Sequence, residues 1–520
     1  MNLKRSLGLV LVCIPASLAL AHFTLPLDVL WGTIEYQQQT LAAGDVSVER
    51  LTMAYLERIR FVDMDGPALN SVLAINPDAL EQARAIDAAS SDGLALKGAV
   101  LLVKDNIDMA GLATTAGSLA LENNVAESDA PVLARLRAAG AVFLGKTNLS
   151  EWANFRSTRS ISGWSSVAGQ TVNPHVLNRS PCGSSAGSGA AVAAGLASAA
   201  LGTETDGSVT CPAAVNGIVG FKPTVGLVSR SGIVPISASQ DTAGPMTRSV
   251  QDAALLMSVM AGRDDADPAT HVIPEDFDFN FPGQLSAEAL QGKRLGVIAG
   301  YTHENPDMEG LLANARHVLE LAGATLVDVE MPGEDYGEDE YRVLLVEFKA
   351  GLNAYLETHA REGQAASLAE LIDFNNENAG VVMPWFGQEI LIKAQAEPGL
   401  DDPEYLAARA RSLRLAGPES IDALMVQHKL DGLVAPTWDP SWIIDPVNGD
   451  TGNGGPGGAP AVAGYPHLTV PMGMIRGLPV GLSFIGGRFQ DAGILAMGYA
   501  FEIRTHAARR PVFLPEVPFR

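Results

Sequence analysis

Helix-like and strand-like patterns alternate along most of the chain, and this alternation is typical of an α/β fold. Short, continuous apolar runs predict strands that are buried on both faces. The stretches that predict strands are residues 99–103, 141–144, 324–329 and 433–435. Helices are predicted over residues 133–139 and 250–261. Another helix is predicted to begin at Asn76 and Pro77, with asparagine as the N-cap and proline at the first helical position.

Three segments depart from this alternation. Residues 186–202 are apolar but consist mainly of alanine and glycine, which predicts a tightly packed buried helix rather than a membrane span. Residues 264–429 carry most of the acidic runs and predict a peripheral helical layer or insertion. Residues 450–458 are rich in glycine and predict a loop.

The first 21 residues have the pattern of a signal peptide. Lys4 and Arg5 precede an apolar run over residues 7–20, and the run closes on Ala19-Leu20-Ala21. The run is shorter than the roughly 20 residues that a membrane-spanning helix needs. We therefore expect cleavage after Ala21 and export to the periplasm or the medium, with an uncleaved membrane anchor as the alternative. No later segment is predicted to cross a membrane.

Composition excludes several classes of protein. Apolar residues make up 47% of the 520 residues and charged residues 18%, which is enough for a large core and excludes global disorder. The 35 basic and 59 acidic residues give a net charge of −24. Loss of Lys4 and Arg5 with the signal peptide would change the net charge from −24 to −26. This balance argues against nucleic acid as a partner. Three cysteines cannot form a disulfide framework in a chain of this length.

Two glycine motifs resemble nucleotide-binding signatures but lack the required context. Residues 140–147 match the P-loop pattern, yet a helix is predicted before Gly140 and a strand within the motif. Residues 452–457 match G-x-G-x-x-G, but Pro456 lies inside the motif and neither a strand nor a helix is predicted beside it. We expect a strand at the first motif and a loop at the second.

Ser185 lies in a G-x-S-x-G pattern that would suit the nucleophile of an α/β-hydrolase. Such a nucleophile needs an apolar strand immediately before it, whereas residues 170–181 are polar and rich in asparagine, proline and arginine. The nine histidines show no spacing typical of metal ligands. The sequence therefore predicts neither a metal site nor a cofactor.

Lys104 is the most unusual polar residue, because it directly follows a predicted buried strand. Burial of an ammonium group is costly without partners, so such a lysine is either paired or functional. The simple alternative is a structural lysine paired with Asp105 or Asp108. Ser184 stands at the head of a small-residue helix, and Ser208 ends a short polar run.

At these residues the sequence resembles the amidase signature family. The family has a lysine in Lys-Asp-Asn, a serine in a glycine-rich Gly-Ser-Ser segment and a serine in a second glycine-containing loop, which here are Lys104, Ser184 and Ser208. The resemblance implies one amidase domain over residues 22–520, with the signature core at about 98–261. It also implies an α/β fold in which helices cover both faces of a large mixed sheet.

The resemblance assigns a role to each of these side chains. Ser208 would attack the amide carbonyl, Ser184 would relay the proton, and Lys104 would be the neutral base. The pKa of Lys104 would then have to fall from about 10.4 to about 8, so Asp105 has to turn away from it. The family also implies a cis peptide bond before Ser184. The oxyanion hole would be formed by the backbone N–H groups of Thr205, Asp206, Gly207 and Ser208.

Within the family the likeness is strongest to bacterial peptide amidases, which hydrolyse the C-terminal amide of peptides. Asp206 and Cys211 fit this subgroup, and Cys182 replaces a glycine that is usual in the wider family. The two cysteines would pair in an oxidising compartment if their Cα atoms lie within about 7 Å. We expect instead two separate buried thiols. By proximity to similar family segments, the candidate pocket residues are Trp152, Phe155 and Trp164.

The leading hypothesis is an exported serine hydrolase that releases ammonia from C-terminal peptide amides. A small-molecule or peptide amide would then be its partner. A broad small-amide or aryl-acylamide hydrolase is the main alternative. A component of a transfer-RNA-dependent amidotransferase fits poorly with the signal peptide and the acidic charge. A catalytically silent binding protein would be free to lose Lys104, Ser184 or Ser208, yet all three are present.

Overall fold

An eleven-stranded mixed sheet forms the core of the computed structural model, which describes residues 25–89, 93–332, 335–359 and 364–518. The predicted signal peptide lies outside the described residues. The strands in chain order are β1 (Val72–Ile75), β2 (Val100–Lys104), β3 (Val142–Thr147), β4 (Trp164–Ser165), β5 (Gly169–Gln170), β6 (Ala199–Glu204), β7 (Val219–Lys222), β8 (Thr242–Thr247), β9 (Arg294–Ile298), β10 (Thr325–Val329), β11 (Gly432–Pro436), β12 (His467–Ile475) and β13 (Leu478–Ile485).

The spatial order of the main sheet is β1-β3-β2-β6-β8-β7-β12-β13-β11-β9-β10, while β4 and β5 pair separately. Parallel pairing joins β3, β2 and β6 on one side of the sheet and β11, β9 and β10 on the other. The strands between these groups pair antiparallel. All four predicted strands are confirmed as β2, β3, β10 and β11, and their ends differ from the predicted ones by at most three residues.

Helices cover both faces of this sheet. The described residues form seventeen α-helices: α1 (Leu27–Trp31), α2 (Ile34–Ala42), α3 (Val48–Arg58), α4 (Ala79–Ala88), α5 (Pro131–Ala138), α6 (Ala186–Ala193), α7 (Thr210–Asn216), α8 (Val250–Met260), α9 (Pro306–Leu321), α10 (Gly337–His359), α11 (Leu368–Glu377), α12 (Ala379–Val382), α13 (Glu389–Ala396), α14 (Pro403–Ala416), α15 (Ala423–His428), α16 (Gly458–Ala463) and α17 (Asp491–Thr505).

Strand β2 shows why its sequence is apolar throughout. Leu101 and Val103 pack with α5 and α8 on one face, whereas Val100 and Leu102 pack with α3 and α6 on the other. A strand covered by helices on both faces has no position left for a polar side chain. Lys104 at its end is the first polar residue of the strand, and it is buried like the residues before it.

Two sequence expectations are corrected by the fold. The apolar run over residues 186–202 is not one helix, because α6 ends at Ala193 and β6 begins at Ala199. Gly195 has a φ of +70° and lies against the Trp31 ring, which permits the turn between them. Residues 264–429 are not only peripheral, since they also supply β9 and β10 at the edge of the sheet.

None of the helices in the described residues is both long enough and apolar enough to cross a membrane. The predicted loop over residues 450–458 contains no regular element before α16, which begins at Gly458.

Candidate active site

Three segments converge at the carboxyl end of β2. Lys104 is the last residue of β2, and the parallel neighbour β6 ends at the same edge of the sheet at Glu204. The loop after β6 carries Ser208 and leads into α7. Ser184 lies just before α6, which begins at Ala186. The fold therefore brings the three residues that the sequence singled out to one edge of the sheet.

Lys104 is completely buried, and its amine has three oxygen neighbours. Its Nζ lies 2.7 Å from Ser184 Oγ, 2.8 Å from Thr203 Oγ1 and 3.1 Å from the Thr203 carbonyl oxygen. Asn106 Nδ2 donates to the same Thr203 hydroxyl at 2.9 Å. A neutral amine offers two N–H donors and one lone pair, which these three oxygen atoms can satisfy.

Burial lowers the pKa of Lys104 from 10.5 to about 7, although the charges of Asp241 and Glu204 act in the opposite direction. Asp105 does not form an ion pair with Lys104. Its carboxylate lies 3.0 Å from Lys146 Nζ instead, and both side chains are fully buried. The prediction that Asp105 turns away is confirmed, and the alternative of a structural Lys104–Asp105 pair is wrong.

The segment that carries Ser184 is held closely by its surroundings. The peptide bond between Gly183 and Ser184 is cis, as the family resemblance implied. A Cβ atom at Gly183 would overlap Ser150 Oγ, so a larger residue here would have to displace that hydroxyl. The N–H of Ser150 donates to the Ser184 carbonyl at 3.1 Å. These contacts fix the backbone on both sides of the Ser184 hydroxyl.

The loop that carries Ser208 is shaped by Glu204. Its Oε2 accepts the backbone N–H groups of Val209 at 2.7 Å and Thr210 at 2.9 Å. Gly207 has a φ of +74°, a left-handed conformation that glycine adopts without steric cost. Ser208 is 8% exposed, whereas Lys104 and Ser184 are fully buried. Ser208 is therefore the member of the group nearest to solvent.

The two serine segments are joined through the backbone. The N–H of Ser185 donates to the carbonyl of Ser208 at 3.2 Å. Within residues 93–332, which the structure describes without a gap, the hydrogen bonds do not include one between the Ser184 and Ser208 hydroxyls. Catalytic hydrogen bonds often tighten only in the substrate complex, so this geometry is compatible with a relay.

The four residues of the predicted oxyanion hole form the turn between β6 and α7. Thr205 is half-buried, Asp206 is exposed, and Gly207 and Ser208 are buried. Thr205 Oγ1 donates to Asp241 Oδ1 at 2.6 Å, and burial raises the pKa of Asp241 to about 6. The Asp241 carboxyl group thus holds the start of this turn.

A cavity of about 750 Å³ has Thr205 and Asp241 in its lining. Asn106, Thr203, Thr205 and Asp241 line it on the side of Lys104. The rest of the lining is largely apolar and comes mainly from the loop over residues 230–238 and from one face of α10, which includes Gly351. Its size suits a ligand with a sizeable apolar group.

The three aromatic residues predicted for the pocket lie elsewhere in the packing. Trp152 and Phe155 are buried in an apolar cluster with residues of α10, and Trp164 stacks edge-on with Phe386. None of the three lines the 750 Å³ cavity, whereas the neighbouring Ala153 does. Large aromatic side chains near a site are often part of the core, which is the outcome here.

Cys182 and Cys211 form a disulfide, which corrects the expectation of two separate thiols. Their Cα atoms are 6.1 Å apart, within the range that a disulfide spans. The reason is that the Ser184 and Ser208 segments run side by side, as the bond from Ser185 to Ser208 shows.

The motifs judged incompatible with nucleotide binding have other structural roles. Lys146 of the P-loop-like sequence lies in β3, where it pairs with Asp105 and also donates to the Ile107 carbonyl at 2.7 Å. Residues 452–457 precede the helix α16, contrary to the expectation, but no strand leads into them in this described part of the chain. The described residues contain no group of three or more His, Cys, Asp or Glu that could hold a metal ion.

The nucleophile-elbow interpretation of Ser185 also lacks its strand, because residues 171–185 are fully described and contain none. Ser185 Oγ instead donates to the Thr203 carbonyl at 3.1 Å and accepts the Thr203 N–H at 3.2 Å. Its hydroxyl is thus committed to the backbone of β6.

Sequence reasoning missed four residues that support the site, namely Asn106, Thr203, Glu204 and Asp241. Thr203 and Glu204 are the polar end of a strand that otherwise consists of small and apolar residues. This change from apolar to polar residues is a sequence feature that could have identified them. Asp241 carried no such signal, because its role depends on a contact with Thr205 across 36 residues.

Comparisons with known proteins agree with this geometry. Residues 50–495 match the family model described as Amidase. The native peptide amidase from Stenotrophomonas maltophilia superposes with a TM-score of 0.89 at 51% identity, covering 92% of this chain and 98% of that one. A probable amidase of Arabidopsis thaliana is 37% identical over 500 residues, which cover 93% of this chain and 91% of the relative. A putative amidase of Arthroderma benhamiae is 34% identical over 504 residues, which cover 89% of this chain and 80% of the relative.

Proposed function

The chain belongs to the amidase signature family and is a hydrolase of carbon–nitrogen bonds, and we propose that it hydrolyses the C-terminal amides of peptides with release of ammonia. The 51% identity to a peptide amidase over nearly the whole of both chains supports this choice within the family. The 750 Å³ cavity beside Thr205, with its largely apolar lining, supports an acyl group larger than that of a simple amide.

In the proposed mechanism Ser208 is the nucleophile and Lys104 is the base. Ser208 Oγ bonds to the amide carbonyl carbon while its proton passes through the Ser184 hydroxyl to the neutral Nζ of Lys104. The proton then returns to the amide nitrogen, the carbon–nitrogen bond breaks, and ammonia leaves. Water repeats the sequence on the acyl-enzyme and releases the carboxylic acid.

The developing oxyanion would be stabilised by backbone N–H groups of the turn over Thr205, Asp206, Gly207 and Ser208. The left-handed φ of Gly207 and the bonds from Val209 and Thr210 to Glu204 hold this turn in one shape. Fixed donors need no reorganisation as charge develops, and the loss of one typically costs about 3–4 kcal/mol.

One observation carries the proposal. Lys104 is fully buried with its Nζ 2.7 Å from Ser184 Oγ, while the adjacent carboxylate of Asp105 is paired with Lys146. A buried lysine surrounded by hydroxyl and carbonyl oxygens rather than carboxylates is suited to be a base near neutral pH. A purely structural lysine would be expected to take the nearby carboxylate.

The reaction and the substrate can be tested together by measuring ammonia release from a short peptide amide and from glutamine. We expect release from the peptide amide, with kcat reduced at least a thousandfold in Ser208→Ala. The matched control is Ser188→Ala, which removes another buried serine hydroxyl of the same region and should retain activity. Release from glutamine alone would contradict the proposed substrate, and unchanged activity in Ser208→Ala would contradict the nucleophile.

We also infer that the protein is exported. The signal-peptide pattern of residues 1–21 supports export, as does a disulfide between Cys182 and Cys211, since disulfides persist in oxidising compartments. Expression in a bacterial host should give a periplasmic protein whose first residue is His22, directly after Ala21, or a residue close to it. A cytoplasmic protein that retains Met1 would contradict this inference.

A further inference from the structure

The Cys182–Cys211 disulfide joins the two segments that carry the serines. Cys182 lies two residues before Ser184, and Cys211 lies three residues after Ser208. Both serines therefore lie within the loop that the disulfide closes, and each cysteine is separated from its serine by at most two residues. A covalent link at this place bears directly on the distance between the two hydroxyls.

The rest of the structure holds each segment separately and also joins the two by hydrogen bonds. The Ser184 segment is fixed to Ser150, and the Ser208 loop is fixed to Glu204. Ser185 donates from its N–H to the Ser208 carbonyl at 3.2 Å and from its hydroxyl to the Thr203 carbonyl at 3.1 Å. The side-chain amide of Asn216 donates to one backbone carbonyl on each side, at 2.9 Å and 2.7 Å. To these hydrogen bonds the disulfide adds a covalent connection between the two segments.

The surroundings of the disulfide keep it in a fixed place. Cys182 and Cys211 are 4% and 1% exposed, and they form an apolar cluster with Val215 and Trp442, against which Trp438 packs. The N–H of Cys211 donates to the carbonyl of Gly207 at 2.8 Å, so its position is coupled to the oxyanion turn. Movement of this sulfur would be passed to the turn that carries Ser208.

We propose that the Cys182–Cys211 disulfide is a positioning element that holds Ser184 and Ser208 at the separation needed for proton transfer. The proposal rests on the proposed function, because it assumes that Ser184 relays the proton of Ser208. A displacement of about 1 Å between reacting groups can lower a rate by about a hundredfold. Loss of the link is therefore expected to lower kcat and to leave substrate binding largely intact.

The first test compares Cys182→Ser, Cys211→Ser and the double variant on a peptide amide. We expect kcat to fall at least tenfold while KM stays within about twofold, in protein that is folded by circular dichroism at the assay temperature. The single and double variants should be equally slow, because each removes the same link. A lower Tm with unchanged kcat in all three would show a merely structural role and overturn the proposal.

The matched control is Val215→Ala, which trims the same apolar cluster and leaves the disulfide intact. It should lower Tm without changing kcat. If it lowers kcat as much as the cysteine variants do, packing of the cluster rather than the link controls the rate, and the proposal is wrong.

The second test uses the wild-type protein without any substitution. A dithiol such as dithiothreitol transfers two electrons and two protons to the disulfide, giving two protein thiols and the cyclic disulfide of the reagent. We expect two thiols per mature chain, a reversible fall in kcat, and recovery on reoxidation. The double cysteine variant should not respond. Full activity with two titrated thiols would overturn the proposal.

These experiments separate the inference from the proposed function. If the oxidised wild-type protein does not release ammonia from a peptide amide, the proposed function fails. If it does so and the cysteine variants keep its kcat, only the positioning role fails.

Discussion

We predict that activity depends on pH through the titration of Lys104. Burial lowers the pKa of this lysine from 10.5 to about 7. At pH 7 about half of the molecules would then hold the neutral amine, compared with roughly one in 3,000 for a lysine of ordinary pKa. The difference corresponds to about 4 kcal/mol in the availability of the base. In the proposed mechanism, burial would therefore provide most of the neutral base that is present at pH 7.

The assay is kcat/KM for a peptide amide between pH 5 and pH 9. Since the neutral amine is required, kcat/KM should fall about tenfold per pH unit well below pH 7 and level off above it. A profile that is flat over this range, or that still rises about tenfold per pH unit up to pH 9, would refute the reasoning. Ser188→Ala should reproduce the wild-type profile.

Asp241 also titrates in this range, because burial raises its pKa to about 6. Its charge raises the pKa of Lys104, as does that of Glu204, while Asp105 is engaged by Lys146. Asp241→Asn should therefore move the acidic limb of the profile to lower pH. An unchanged limb in this variant would show that Asp241 does not act on Lys104.

The same lysine should also make the stability of the fold depend on pH. The folded state binds fewer protons than the unfolded state between pH 7 and pH 10.5, so the free energy of unfolding should rise with pH in this window. Below about pH 7 both states carry the proton and the contribution is constant. Within this window, Lys104 alone should raise the free energy of unfolding by about 1.4 kcal/mol per pH unit. Urea denaturation of wild type and Lys104→Met at pH 8 and pH 9 measures this contribution. An equal change in the free energy of unfolding between the two pH values in both proteins would contradict the lowered pKa of Lys104.

Three further predictions concern the surroundings of the site. Lys146→Met leaves the buried Asp105 carboxylate without its partner and should lower the free energy of unfolding by about 3–5 kcal/mol in urea titrations, whereas an unchanged midpoint would contradict a buried pair. Gly351→Leu, on the cavity face of α10, should lower kcat/KM for amides of bulky residues more than for glycinamide derivatives, and an equal loss would place the acyl group elsewhere. Thr203→Val removes the hydroxyl 2.8 Å from Lys104 Nζ and should reduce kcat about tenfold with the fold retained, so full activity would show that this contact is dispensable.

The parts of the fold that the sequence predicts are those with a strong local pattern. The apolar run before Lys104 identifies β2, because a strand covered by helices on both faces excludes polar residues. The run over residues 186–202 has no such pattern, since alanine and glycine suit both a buried helix and a buried strand. Its division into α6 and β6 depends on the pairing of Ala199–Leu201 with β2, which is a long-range contact.

In the candidate site, too, residues in local motifs could be predicted, whereas contacts between residues far apart in the sequence could not. Lys104, Ser184 and Ser208 were found from a motif resemblance, and the structure brings them to one edge of the sheet. The pairing of Cys182 with Cys211 could not be decided, because it depends on a Cα separation of 6.1 Å across 29 residues. Likewise the cavity is lined mainly by α10 and by the loop over residues 230–238. Both are far from Trp152 in the sequence, so a prediction based on neighbouring sequence segments could not find them.

The most direct test of the central claim is to identify the acyl-enzyme. A rapid-quench reaction with a peptide amide, followed by proteolysis and mass spectrometry, should place the acyl group on the fragment that contains Ser208, and Ser208→Ala should lack it. Acylation of Ser185 or of any other residue, with ammonia release intact in Ser208→Ala, would contradict the account.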